Sequence, residues 1–203
     1  MGLFGTPQSL FLGSNKPMLL PKAYLEIVKN HFEEKVMEFS LIDKRIGEKI
    51  REAQDLFALW GEALRKDPHL ISLLKSLEVK IAASGKALHD FGISAACRHC
   101  DEEDGENCCG AGIENKYTPR LLLINLLFGN TLPEKRLWLN SCFFLGENGC
   151  NLKLRLVLCV NYLCLKIQRM LPAEELARLQ QITGEEMDEG FILNEAVKKF
   201  IGR

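Results

Sequence analysis

Eight cysteines fall within the 68 residues from Cys97 to Cys164, with none in the 96 residues before or the 39 after. Their order is Cys97, Cys100, Cys108, Cys109, Cys142, Cys150, Cys159 and Cys164. Scattered structural cysteines do not segregate in this way. Thiols gathered in one segment point to a shared ligand, and the ligand that takes several thiolates is a metal ion or an iron–sulfur cluster. The segment is otherwise irregular, so a bound ion would also hold it together, because site formation and folding are coupled.

At 203 residues, 47% hydrophobic and 26% charged, the chain is long enough for one domain or two small ones. A net charge of -1 gives no support for a nucleic-acid-binding surface. No run of eighteen apolar residues exists to span a membrane. The start, MGLFGTPQSLFLGSNKP, lacks the basic and apolar regions of a secretory signal. Its loose myristoylation match at Met1-Gly2 and Thr6 is read as chance. The expected compartment is therefore the cytoplasm, where thiols stay reduced and a cysteine cluster reads as metal-binding or catalytic. In an exported protein the same eight cysteines would instead read as four disulfides.

The fold class expected is all-α or mostly α. Residues 1–20 read as an irregular arm with Phe4, Leu10, Phe11 and Leu12 as docking residues. Apolar residues then recur at Phe32, Val36, Phe39, Ile46, Ile50, Ala53, Phe57, Trp60 and Leu64, in steps of three and four apart from a gap at Asp43. Ser40 to Asp43 resembles a capping box, so this stretch is one helix or two. Asp67-Pro68 restarts a helix, with Asp as cap and Pro at the first helical position. Its stripe of Leu70, Leu73, Leu74, Leu77, Ile81 and Leu88 ends near Phe91-Gly92. Residues 21–91 are thus expected to form an N-terminal helical hairpin, with stripe against stripe, that also offers a surface for a protein partner. Residues 92–203 are expected to form a cysteine-rich metal-binding helical unit. Within it, helices are predicted at Pro119–Leu127 behind a Thr118 cap, over Leu156–Met170, over Ala173–Gln181 and over Glu185–Ile201. A short segment restarts at Pro133 and runs to Leu139.

Cys97-Arg98-His99-Cys100 is a C-x-x-C turn, whose two intervening residues let both sulfurs converge on one ion while backbone amides point at them. Cys108-Cys109 follows within CCGAG; vicinal cysteines rarely ligate one ion together, so one would bind while the other packs or serves a second ion. Gly105, Gly110 and Gly112 permit the tight backbone of a ligand loop. Cys142, Cys150, Cys159 and Cys164 complete the set, without a second C-x-x-C. A two-knuckle zinc ribbon is therefore not expected, and a thioredoxin-like site would need a strand before its C-x-x-C.

The order C-x-x-C, CC and then SCFFLGENGCNLKLRLVLCVNYLC resembles the YkgJ-type cysteine-cluster family, described as zinc- or iron-chelating. Cys142-Phe143-Phe144-Leu145 stands where that family has C-x-F-L. Gly149-Cys150 stands at its glycine-rich turn, and Arg155–Cys159 with Cys164 at its arginine-containing stretch into a final cysteine pair. The likeness covers residues 97–164. The chain departs from the pattern in the acidic loop Asp101–Asn107 and in Leu156, where a proline is usual. The resemblance implies metal chelation and no particular reaction.

Zinc or iron would be the cofactor, held by some or all of the eight cysteines: two zinc ions, one iron–sulfur cluster, or one site plus a dithiol. Arg98, Lys116, Arg120, Lys153 and Arg155 are candidates to balance thiolate charge, although surface bases are commoner. Glu114 would offer an oxygen ligand, but reads first as a surface carboxylate, and His99 as a solvated or outer group. His31, His69 and His89 receive no role, and Trp60 and Trp138 read as core. No phosphate-binding loop, dinucleotide fingerprint or nucleophile elbow is present, so no enzyme activity is assigned. The functional readings, in order, are a metal-binding protein, an iron–sulfur electron-transfer or accessory protein, and a thiol–disulfide redox protein cycling Cys97/Cys100 or Cys108/Cys109.

Overall fold

A computed structural model describes residues 22–99 and 108–202, with side-chain environments from Asp43 onward, Arg98 excepted. The proposed N-terminal arm, Cys100 and the acidic loop fall outside the described residues, as do the side chains of Phe32, Val36 and Phe39. The chain divides into two compact units, residues 1–40 and 41–203, and the second carries all eight cysteines. The protein is mostly α-helical, as the periodicity predicted.

Helix α1 (Lys22–Lys66) runs through the capping-box sequence at Ser40 without a break. Asp67 then caps α2 (Pro68–Asp90): its side chain accepts the Leu70 N–H at 3.0 Å, and Pro68 supplies a first-turn residue with no amide to satisfy. A short helix α3 (Ile93–His99) carries Cys97. Thr118 caps α4 (Pro119–Leu127) by accepting the Leu121 N–H. The restart expected at Pro133 makes no helix: residues 131–140 are irregular, ending in a turn at 139–140, and Leu137, Trp138 and Leu139 are exposed, so Trp138 is not a core residue. Next come the antiparallel strands β1 (Leu145–Gly146) and β2 (Gly149–Cys150), paired Leu145 to Cys150 and Gly146 to Gly149. Gly149 has φ +106°, a conformation open to glycine and few other residues, which is why the tight reversal sits there.

The single helix expected over Leu156–Met170 is two, α5 (Val157–Asn161) and α6 (Leu165–Met170). Tyr162 and Cys164 are extended between them, and the Gln168 side chain donates to the Leu163 carbonyl at 2.6 Å. Leu163 and Ile167 both enter the cluster around Ala87, Ile93 and Leu179, while Tyr162 and Leu165 stay exposed. Conversely, the two helices expected after Pro172 are one, α7 (Ala173–Ile201). Gly184 within it costs about 1 kcal/mol of helix propensity relative to alanine. That cost is outweighed by a continuous buried face at Leu179, Thr183, Glu186, Gly190, Leu193 and Val197, spaced by four and three.

That face lies along α2 in an extensive helix pair. The pair is antiparallel: Lys80 meets Glu185 at 2.7 Å, Ser84 meets the Ile182 carbonyl at 3.3 Å, and Leu70 and Leu77 share a cluster with Leu193 and Val197. Leu64, Phe57 and Trp60 of α1 and Leu123, Ile124 and Leu127 of α4 join the same cluster, Trp60 meeting Phe200 edge-on. A second cluster sets Ile46, Ile50 and Ala53 of α1 against Tyr117, Leu122, Leu132, Cys142, Phe143, Phe144 and Leu152. The cysteine loops therefore rest directly on the helical core. Among the described residues no helix is long and apolar enough to cross a membrane.

Candidate metal centre

The cysteines fall into two neighbourhoods. Cys109, Cys142, Cys150 and Cys159 stand near enough that charge on one is felt at another, and Cys142, Cys150 and Cys159 all act on the buried ring of Tyr117. Elsewhere, Cys164 packs on the cluster that includes Ala96, the residue before Cys97. Cys108 and Cys97 are exposed, and Cys100 lies outside the described residues. No two described cysteines are joined by a disulfide. Among the described residues, no three Cys, His, Asp or Glu side chains form a group that could hold one ion. Cys109, Cys142, Cys150 and Cys159 share an electrostatic environment, without a closed set of donors among the described residues.

The backbone explains how the first neighbourhood arises. Gly110 and Ser141 form an isolated antiparallel bridge, flanked by Ala111 N–H to Asn140 O at 3.0 Å and Cys142 N–H to Cys109 O at 2.5 Å. This brings the CCGAG turn alongside SCFFL. The β1–β2 reversal then returns the chain so that Cys150 follows close behind, with Asn151 N–H donating to Phe144 O at 2.9 Å. Leu154 is held by Asn125, a fully buried side chain on α4 that donates to the Leu154 carbonyl at 3.0 Å and accepts its N–H at 3.1 Å. The next turn places Cys159 on α5.

Burial dominates the electrostatics. It pushes the Cys142 thiol up to about 12; a backbone hydrogen bond at Phe144 pulls it down, while Glu114, Cys150 and Cys109 push it further up. Cys150 counts as exposed by surface area, yet enough protein surrounds its sulfur that burial raises its pKa, against a backbone hydrogen bond at Leu152 and the Arg155 guanidinium. Cys159 is also raised by burial and by Cys150, and lowered by Arg155. Burial, then Cys150 and Cys159, raise Tyr117, whose hydroxyl accepts the Leu156 N–H at 3.2 Å. At neutral pH these thiols are neutral unless something positive reaches them.

Of the basic residues proposed to balance thiolate charge, the Arg98 side chain lies outside what is described, and among the described ones Arg155 acts on the sulfurs of Cys150 and Cys159. Lys153 instead pairs with Glu78 at 2.7 Å, and Arg120 with Asn194 at 2.9 Å, while Lys116 is exposed. Arg155 also lies 3.5 Å from Glu186, a carboxylate 2% exposed whose oxygens have no full hydrogen bond. Burial raises the Glu186 pKa, and Arg155 and Ser84 pull it back.

Glu114 is not the surface carboxylate expected. It is fully buried, accepts the Gly112 N–H at 2.9 Å and pairs with Arg136 at 2.5 Å. Arg136, whose side chain is 4% exposed, also pairs with Asp43 of α1 at 2.6 Å and donates to the Ser141 carbonyl. Gly112 has φ +99°, which lets its amide turn toward that carboxylate. His99, His69 and His89 are exposed. Tyr117, Arg136 and Glu186 were not singled out from the sequence, and Asp43 only as part of a capping box; no spacing marks their pairings, because each meets its partner only through the tertiary fold.

No family model matches the chain, and neither a curated protein nor a solved structure is similar to it at a significant level.

Proposed function

We propose that this protein binds a thiophilic metal, zinc or iron, through cysteines of the segment 97–164, in the manner that its resemblance to the YkgJ-type family implies. The observation that carries the reading is the treatment of Cys142 and Cys150. Cys142 is buried, Cys150 is exposed by surface area but crowded enough that burial raises its pKa, and each has a backbone hydrogen bond at the residue two positions on, Phe144 and Leu152 respectively. Burial alone favours a neutral thiol, whereas a hydrogen bond that lowers the pKa favours the thiolate. A soft cation resolves the conflict, because a coordinating thiol gives up its proton outright. The donor chemistry suits such an ion, and Cys109 and Cys159 are the nearest further sulfurs. Arg155 would offset part of the negative charge of the thiolates. The ion would supply a structural cross-link, and in an iron–sulfur form an electron-carrying centre. A reducing, cytoplasmic setting and a protein partner on the N-terminal helices belong to the same reading.

The test is elemental analysis and a visible spectrum of anaerobically isolated protein. Stoichiometric zinc in a colourless sample supports a zinc site; brown protein that bleaches on reduction supports a cluster. In either case Cys142→Ser and Cys150→Ser should lower the metal content. Protein that carries no metal, and takes none up after reduction and incubation with zinc or ferrous iron, overturns the proposal.

A further inference from the structure

The bridge between Gly110 and Ser141 has a consequence for redox chemistry. Its two hydrogen bonds, Ala111 N–H to Asn140 O and Cys142 N–H to Cys109 O, are those that flank a pair without hydrogen bonds of its own in an antiparallel ladder. The next residues out are Cys109 and Cys142, directly opposite each other. Opposed residues share a face, and in a hydrogen-bonded position their Cα atoms stand about 5.5 Å apart. A cystine spans Cα separations of about 4.4–6.8 Å. The two residues differ in access: Cys109 is exposed, whereas Cys142 is buried at 8% exposure.

We infer that Cys109 and Cys142 are a redox-active pair, joined as a cystine across the bridge when the protein meets a hydroperoxide. Cys109, open to solvent, reacts first. Its sulfur attacks one peroxide oxygen, the O–O bond breaks, and the departing alkoxide takes the thiol proton to leave as an alcohol. Cys109 is then a sulfenic acid. The Cys142 thiol, which burial holds protonated, passes its proton to the departing hydroxide as its sulfur attacks the Cys109 sulfur; the S–S bond forms, the S–O bond breaks and water leaves, a step that speeds up as pH rises and the thiolate fraction grows. Two thiols have given two electrons to one peroxide. Cys150 also acts on Cys142 but stands opposite Leu145 in its own strand pair, so a Cys142–Cys150 bond is the competing product that the test distinguishes; a Cys108–Cys109 bond closes a ring too small for an unstrained trans peptide. Each partner of the new bond is also a sulfur near the candidate centre, so oxidation withdraws two donors at once. The pairing itself requires no metal, and its test is run on metal-free protein.

The full chain, reduced and stripped with a chelator, is treated with a hydroperoxide, unfolded, alkylated and cleaved after glutamate. Fragment 107–114 carries Cys108 and Cys109, and fragment 135–147 carries Cys142 as its one cysteine. The expected product is these two fragments joined, lighter than their sum by two hydrogen atoms, with loss of alkylation at Cys142. Tandem fragmentation should place the bond at Cys109. Cys108→Ser should keep the joined product and Cys109→Ser should abolish it, with circular dichroism confirming that each variant is folded. Should a variant fail to fold, fragmentation of the wild-type product decides. Recovery of fragment 135–147 fully alkylated, or a bond from Cys142 to any cysteine other than Cys109, overturns the inference.

Discussion

Arg136→Met is the substitution whose cost the structure defines most sharply. Arg136 lies between Asp43 and Glu114 at 2.6 and 2.5 Å, and Glu114 is wholly buried. Removing the guanidinium leaves the Glu114 carboxylate with the Gly112 amide as its described partner. An uncompensated buried charge of this kind costs about 3–5 kcal/mol. Asp43 is about a third exposed and regains water, so its loss adds little. In a domain of this size a kcal/mol shifts the melting temperature by about 2–4 °C, so Tm should fall by roughly 10 °C. Adding Glu114→Gln to the variant removes the charge while keeping the shape and should recover about 1–3 kcal/mol of the loss. Urea unfolding followed by far-ultraviolet circular dichroism measures all three proteins. The reasoning fails if Arg136→Met lies within about 1 kcal/mol of wild type, or if the double variant is no more stable than the single one.

The titrating groups yield two further expectations. Cys142 moves from an ordinary 9.0 to about 12 on folding, so the folded state holds its proton more tightly. Its contribution is complete below the unfolded value and is lost as pH rises from 9.0 toward 12, at up to about 1.4 kcal/mol per pH unit. Metal-free protein should lose stability across that window, and Cys142→Ala should show a shallower slope; equal slopes in denaturant titrations at several pH values would refute the assignment. Glu186, also raised on folding, likewise contributes below its unfolded value of 4.5 and loses that contribution as pH rises through the folded value. Glu186→Gln should therefore equal or exceed wild type in stability at pH 7, the difference shrinking in acid, and a loss of more than about 1 kcal/mol at pH 7 would contradict it.

The features legible in the sequence were local. Asp67-Pro68 and Thr118-Pro119 each carry a cap and a first-turn proline in adjacent residues, and both helices begin where those residues place them. The stripe at Ile46, Ile50, Ala53 and Leu64 was legible because helical spacing alone selects a buried face. Errors came where tertiary packing overrode local preference. The apolar run 156–170 breaks at Tyr162 and Cys164, where the backbone is extended and no glycine or proline marks the stop, and Gly184 is carried through α7 by the buried face on either side. Glu114 reads as a surface acid until Arg136, 22 residues on, is seen against it. The order of the cysteines marks out the segment, but which of them share surroundings depends on the Gly110–Ser141 bridge and the β1–β2 reversal, neither of which has a periodic signature.

Three side chains grip the backbone of the cysteine loops, one of them, Lys49, from helix α1. Lys49 donates to the carbonyls of Asn115 and Tyr117, Arg136 to that of Ser141, and Asn125 brackets Leu154. Much of the entropy of ordering these loops is thereby spent by the scaffold rather than charged to an arriving cation, so affinity should report chiefly the sulfur–metal bonds. The hairpin tip at Glu147-Asn148 lies between two gripped points. Its length and composition are free to drift while the sulfurs on either side keep their places.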